Sequence, residues 1–272
     1  MTALEGIGKT DRERIAAILR GTRGTISVGD VSRILSVEPG DAAKMLSRWT
    51  QKGWMSRIAR GFYVPVPLES PTLDMPLENP WLVGARLYSP CYIGGWSAAE
   101  YMDLTEQIFS TIMIMTTRKL RDRNPVIKGQ PFLIRTVPEN TLFGLIPVWQ
   151  GRVKVMVSAP ARTLLDMLVD PKLGGGIRSV KDMLEKLLKK DARSLEQLID
   201  YADQLGNGSV FKRLGFLLEI VAAEETDALD ACRKKMTTGN AKLDPGLDND
   251  RLITRWRLFV PENWKQMVAN DR

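Results

Sequence analysis

Two helical stripes interleave between Pro39 and Gly53, and they constrain the N-terminal part of the chain more than any other feature. Ala42, Met45, Leu46 and Trp49 recur at the i, i+3, i+4, i+7 spacing of a buried face. Lys44, Ser47, Arg48 and Gln51 keep the same spacing on another face, with Lys52 following. Pro39 stands where a first-turn proline is tolerated, and Gly53 stops the helix. Such a helix must pack its apolar side and present a polar, basic one to water.

Its neighbours narrow the fold. Upstream, Thr10 is expected to cap a first helix with Ile15, Ile18, Leu19 and Thr22 on one side, before Gly21 and Gly24 break the chain. Ser27 is expected to cap a second helix, with Asp30 at the capping-box position and Val28, Val31, Ile34 and Leu35 on its inner face. Downstream, the run Trp54–Val64 reads as two short strands around a turn carrying Arg57, Arg60 and Gly61. Helix, helix, polar-faced helix and basic hairpin, in that order, is the winged helix-turn-helix arrangement.

Prolines 65, 67, 71, 76 and 80 then mark a linker, which divides the chain near residue 70 into domains 1–70 and 71–272. The second domain opens with a helix from Ser97 into the Tyr101–Leu104 region. Short β-type runs follow at 112–115, 132–134, 145–149 and 153–157, with Gly151 separating the last two as a hairpin. Helical periodicity takes over at Ala161–Leu168, Val180–Leu187, Leu195–Ala202 and Val210–Val221. The run Ile253–Val260 reads as a strand returning to the sheet. The fold class is α+β: a winged helix-turn-helix domain followed by a mixed domain with short strands early and helices late.

Composition excludes several chemistries. Histidine is absent, so neither a histidine-based triad nor the commonest zinc and iron ligand is available. Cys91 and Cys232 are too far apart in sequence for a metal or redox motif and read as two buried thiols in a reducing compartment. Gly174-Gly175-Gly176 lacks the lysine and strand–helix context of a phosphate loop and reads as a flexible turn. Glu100, Asp103 and Glu106 read as surface acids, and Arg162 with Asp166 as an i, i+4 pair on a helix surface or against the sheet. No catalytic residue, metal or cofactor is expected. With no secretory signal and no apolar span, the chain reads as cytoplasmic.

The 272 residues carry a net charge of +7, unevenly placed. Residues 1–70 hold +4, and 112–135 hold +5 through Arg118, Lys119, Arg121, Arg123, Lys128 and Arg135 against Asp122. Two basic clusters on a near-neutral body suit a polyanionic partner. Arg pairs bidentately with guanine and Gln with adenine, while Lys and Ser favour phosphates. A solvated helix face is the alternative for the stripe taken alone. With the helix before it and the hairpin after it, the candidate DNA-binding residues are Lys44, Ser47, Arg48, Gln51, Lys52, Arg57 and Arg60. Arg118, Lys119, Arg121, Arg123 and Lys128 form a second basic patch: a solvated loop, an extension of the DNA footprint, or a surface for an acidic or RNA-bound partner.

The second domain resembles the AbiEi family of antitoxins. The residues behind this are Tyr92–Tyr101 with Leu104-Thr105-Glu106-Gln107, Phe143-Gly144, Ala161–Asp166, Asp170-Pro171 with Gly174–Ile177, and Lys212–Glu219. Their order runs on to Arg255-Trp256-Arg257-Leu258. The resemblance implies a winged-helix repressor of its own operon, joined to an antitoxin domain in a type IV (abortive infection) system that serves phage defence. It also implies double-stranded operator DNA and a nucleotidyltransferase-like AbiEii toxin as partners; a stable toxin complex is not implied. From a different class, the alternative is a stand-alone regulator whose second domain senses a ligand or dimerises. Neither the operator sequence nor the toxin's target follows from these residues.

Overall fold

Ser27 ends one element and starts the next. In the computed structural model, which describes residues 6–22, 24–67, 76–191 and 193–264, α1 (Lys9–Gly21), β1 (Ile26–Ser27) and α2 (Val28–Leu35) follow in turn. The Asp30 amide donates to Ser27 Oγ at 3.1 Å, and the Ser27 amide donates back to the Asp30 carboxylate at 2.9 Å. This is a complete capping box with Asp where Glu is more usual. Burial raises the Asp30 pKa, but the hydrogen bonds from Ser27 and the Arg86 charge outweigh it, and the net shift is downward from 3.8.

Ser27→Ala should therefore cost about 1 kcal/mol, read from the urea midpoint. Because the folded pKa is depressed, the carboxylate's stabilisation is present above pH 3.8 and lost as pH falls through the lower folded value. In Asp30→Asn, stability should drop at neutral pH while the loss below pH 3.8 becomes shallower.

The first helix starts two residues earlier than a Thr10 cap would place it. Gly8 occupies the cap with no side-chain hydrogen bond, so Thr10 lies inside the first turn and is not the cap. α3 (Pro39–Gln51), β2 (Met55–Ala59) and β3 (Phe62–Pro65) complete the segment. Ile15, Ile18, Val31, Leu46, Trp49 and Met55 form its core. β2 and β3 pair antiparallel, with a bulge where the register passes from Arg57↔Tyr63 to Ala59↔Phe62. β1 adds to β3 through Ile26↔Tyr63, giving the order β1-β3-β2. Three helices and this small sheet make a winged helix-turn-helix.

The domain boundary expected near residue 70 lies outside the described residues, as does Pro71. Beyond it come α4 (Pro80–Tyr88), β4 (Cys91–Ile93), α5 (Gly95–Tyr101), β5 (Ile112–Thr116), β6 (Val126–Ile127), β7 (Gln130–Thr136), β8 (Leu145–Gln150) and β9 (Val153–Ser158). The strands follow the order β6-β7-β5-β4-β9-β8. β5 and β7 run parallel, and β6 turns back onto β7 through Lys128 (φ 49°) and Gly129 (φ 76°), a two-residue turn needing positive φ at both positions. The first compact unit holds Met1–Tyr92, Ser110–Val137 and Pro147–Met156.

The second unit holds Ile93–Phe109, Pro138–Ile146 and Val157–Arg272. Its helices are α5, α6 (Pro160–Val169), α7 (Ile177–Lys190), α8 (Ser194–Leu205), α9 (Gly208–Val221) and α10 (Thr226–Lys235). α6 is buried from Ala161 to Leu168, including Arg162 and Asp166. Their ion pair is thus interior, not at a helix surface. Arg162 also donates to the Thr141 carbonyl at 3.1 Å, and its guanidinium lies over the Phe143 ring.

Buried cations in α9 serve the same structural end. Arg213 donates to the Leu168 and Val169 carbonyls at 2.7 and 3.1 Å, satisfying the open C-terminus of α6, and to the Lys242 carbonyl at 2.9 Å. Lys212 donates to Thr237 Oγ1 at 3.0 Å and to the Gly239 carbonyl.

The C-terminal strand does not return to the larger sheet. β10 (Ala241–Lys242), β11 (Arg251–Ile253) and β12 (Leu258–Val260) form a sheet of their own, in the order β10-β12-β11. A 3₁₀ turn at Thr254–Trp256 and left-handed Arg257 (φ 49°) interrupt the run. The turn sends the Trp256 ring against Gly215, where a Cβ would lie 2.1 Å from the ring. Gly174–Gly176 is a packed turn and not a flexible one. A Cβ on Gly174 would meet Met167 and Val180 at 2.8 Å, and Asp244 accepts the Ile177 amide at 3.0 Å, occupying the N-terminus of α7.

Candidate nucleic-acid interface

The stripe foreseen on the third helix exists as one surface. Ala42, Leu46 and Trp49 are buried and Met45 packs against the same core, which turns Lys44, Ser47, Arg48 and Gln51 outward, all exposed. The helix ends at Gln51 and the chain reverses at Gly53 (φ 78°), after which Lys52 lies over the Trp54 ring at 4.9 Å. Arg57 projects from β2 and its Nε donates to the Ala59 carbonyl at 3.3 Å. It is thus a strand residue, and only Arg60, with Gly61 (φ 79°), forms the turn itself.

Two carboxylates modulate this face. Lys44 pairs with Asp41 one turn earlier at 3.0 Å. Arg48 pairs with Asp11 of α1 at 3.0 Å, and its side chain stays half exposed. The Asp11 contact spans 37 positions and has no local signature, so sequence reasoning missed it. Exposed pairs contribute about 0–1 kcal/mol, so Arg48 can leave Asp11 for a better anion. Asp11→Asn should leave the unfolding midpoint within about 1 kcal/mol and raise affinity for random duplex severalfold, measured by fluorescence anisotropy at low salt.

The second basic patch is less uniform than its sequence suggests. Lys119, Arg121 and Arg123 are exposed in the loop between β5 and β6. The Arg118 side chain is committed to the Leu87 carbonyl at 2.6 Å, while its own carbonyl accepts from Thr136 Oγ1 at 3.1 Å. Lys128 is half-buried in the β6–β7 turn. Arg118 is exposed like the other three, so four of the five cations face solvent and Lys128 is half-buried.

Glu100 accepts the Phe109 amide at 3.5 Å, and Asp103 pairs with Lys186 at 3.3 Å. Among the described residues, no group of three or more Cys, Asp or Glu side chains is placed to hold a metal ion. Burial pushes the Cys91 and Cys232 thiols up to about 12, so both stay protonated at neutral pH. No described helix is long and apolar enough to cross a membrane.

A helix-turn-helix with an outward polar-basic stripe and a basic hairpin defines the DNA-binding regulator class. Residues 13–66, from within α1 to just beyond β3, match the family described as AbiEi antitoxin transcriptional regulators. The matched segment covers the winged helix. No curated protein matches the sequence. Among solved structures, the RV2827C protein from Mycobacterium tuberculosis is similar over 100% of this chain and 98% of that one, with a TM-score of 0.64 and 16% identity. At that identity the likeness concerns the fold.

Proposed function

We propose that this protein is an antitoxin and autorepressor that binds double-stranded operator DNA through α3 and the β2–β3 wing. The exposed stripe Lys44/Ser47/Arg48/Gln51, lying inside the segment that matches the AbiEi regulators, carries the reading. Arg48 and Gln51 read base edges in the major groove; Lys44, Ser47, Lys52, Arg57 and Arg60 hold phosphates. Residues 1–70 act as the DNA-binding domain and 71–272 as the antitoxin domain of a type IV system in the cytoplasm. Its counterpart is a nucleotidyltransferase-like toxin, whose neutralisation does not require a stable complex. The role requires no catalytic group and no cofactor.

If the wing contacts the backbone, Arg57→Gln/Arg60→Gln should flatten the dependence of log K on log salt by about 0.9 per lost phosphate contact. An unchanged slope removes the wing from the footprint.

Co-expression with the adjacent open reading frame tests the antitoxin role, with growth as readout. Truncation at residue 70 is a poor instrument, because the first compact unit continues through Ser110–Val137 and Pro147–Met156. The full chain and its Arg48→Ala/Gln51→Ala variant serve better. Rescue by both separates neutralisation from repression, and rescue by the parent alone makes DNA binding part of neutralisation. A harmless neighbour replaces the antitoxin reading with a stand-alone regulator.

A further inference from the structure

The first unit contains a recess of about 670 Å³ lined by none of the residues proposed to contact DNA. Its walls come from the end of α1, from α2, α4 and β9. Four cations line it: Arg20, Arg33, Arg86 and Lys154. Asp30 is the single carboxylate in the lining, and its oxygens are already engaged. Oδ2 accepts from the Ser27 amide at 2.9 Å, from Ser27 Oγ at 2.6 Å and from Arg86 at 2.9 Å; Oδ1 accepts from Arg86 at 3.1 Å and Arg33 at 3.5 Å. One carboxylate shared in this way leaves the recess with a positive excess.

The Arg33 and Arg86 guanidinium groups keep N–H donors beyond those given to Asp30, and Lys154 lies over the Trp149 ring at 4.9 Å. The side chains of Arg33 and Arg86 are 67% and 52% exposed, and Arg20 and Lys154 are also exposed. Guanidinium forks match the paired oxygens of phosphate, and a volume of this order suits a small-molecule ligand. Concave walls of one charge also raise the local concentration of anions.

We propose that this recess binds a phosphate-class oxyanion, held by Arg20, Arg33, Arg86 and Lys154. The phosphate belongs either to a free phosphorylated molecule or to the backbone of bound duplex. In the first case an effector sits against the cap of α2, the first helix of the helix-turn-helix. In the second the footprint extends beyond α3 and the wing. The first arm of the test uses no DNA, so its outcome is independent of the operator reading.

Full-length protein is titrated calorimetrically with pyrophosphate in low-salt buffer, beside Arg20→Gln/Lys154→Gln. That variant leaves the Ser27–Asp30–Arg86 contacts in place, and its unfolding midpoint serves as the folding control. Saturable binding that weakens at least about tenfold in the variant is expected. Added operator duplex then separates the sources. Competitive displacement, with a shallower DNA salt slope in the variant, assigns the phosphate to the backbone. Simultaneous binding of duplex and pyrophosphate assigns it to a free molecule. Pyrophosphate binding that is equal in both proteins overturns the proposal. So does its absence at millimolar concentration together with an unchanged DNA salt slope.

Discussion

Arg162→Met should destabilise the second unit by about 3–5 kcal/mol, because it leaves Asp166 as a buried carboxylate without its countercharge. Asp166 is only 4% exposed, and Arg162 also serves the Thr141 carbonyl and the Phe143 ring. Guanidinium unfolding followed by circular dichroism measures the loss. The double variant Arg162→Met/Asp166→Leu should recover much of it, since replacing a whole buried pair with apolar groups is often close to neutral. A single variant within about 1 kcal/mol of the parent would show that water reaches this pair and that it does not hold α6 in place.

Arg48→Ala/Gln51→Ala should weaken operator binding by about 2–6 kcal/mol if each side chain reads one base, and should narrow the gap between operator and random duplex. Both residues are exposed on α3 and only Arg48 gives up a pair, with Asp11, so the unfolding midpoint should stay within about 1 kcal/mol. Discrimination separates the possible roles. Equal losses on operator and random duplex would make these residues phosphate contacts; unchanged binding would move recognition off α3.

Both effects rest on elements that differ in how plainly the sequence announces them. α3 was legible because start, stop and both faces are written locally, in Pro39, Gly53 and two stripes of the same period. The α2 cap was equally plain, since Ser27 and Asp30 meet over one turn. β1 was not, because two residues cannot display an alternation. α4 was hidden inside a proline-rich stretch, although Asn79-Pro80 is a cap followed by a first-turn proline. α10 buries only Ala228, Leu229 and Cys232, too few to mark a face.

The interior charges are the larger omission. Arg162, Lys212 and Arg213 look like surface residues by type, yet all three are buried and bonded to carbonyls distant in sequence. No local pattern announces this: Arg162, Thr163 and Asp166 form a short polar stripe like that of a solvated helix, and only the packing buries α6 on every side from Ala161 to Leu168. Several residues behind the AbiEi resemblance thus hold up the fold of the second unit: Gly144 against Tyr201 and Arg162, Gly215 against Trp256, and Arg213 at the end of α6.

The central claim is sequence-specific DNA binding through the N-terminal winged helix. Fluorescence anisotropy of the full chain on the duplex upstream of its own gene, against a shuffled duplex of equal composition, tests it most directly at two salt concentrations. Binding to the upstream duplex should be at least about a thousandfold tighter near physiological salt, with both affinities falling as salt rises. Equal affinity for the two duplexes at both salts would contradict that claim.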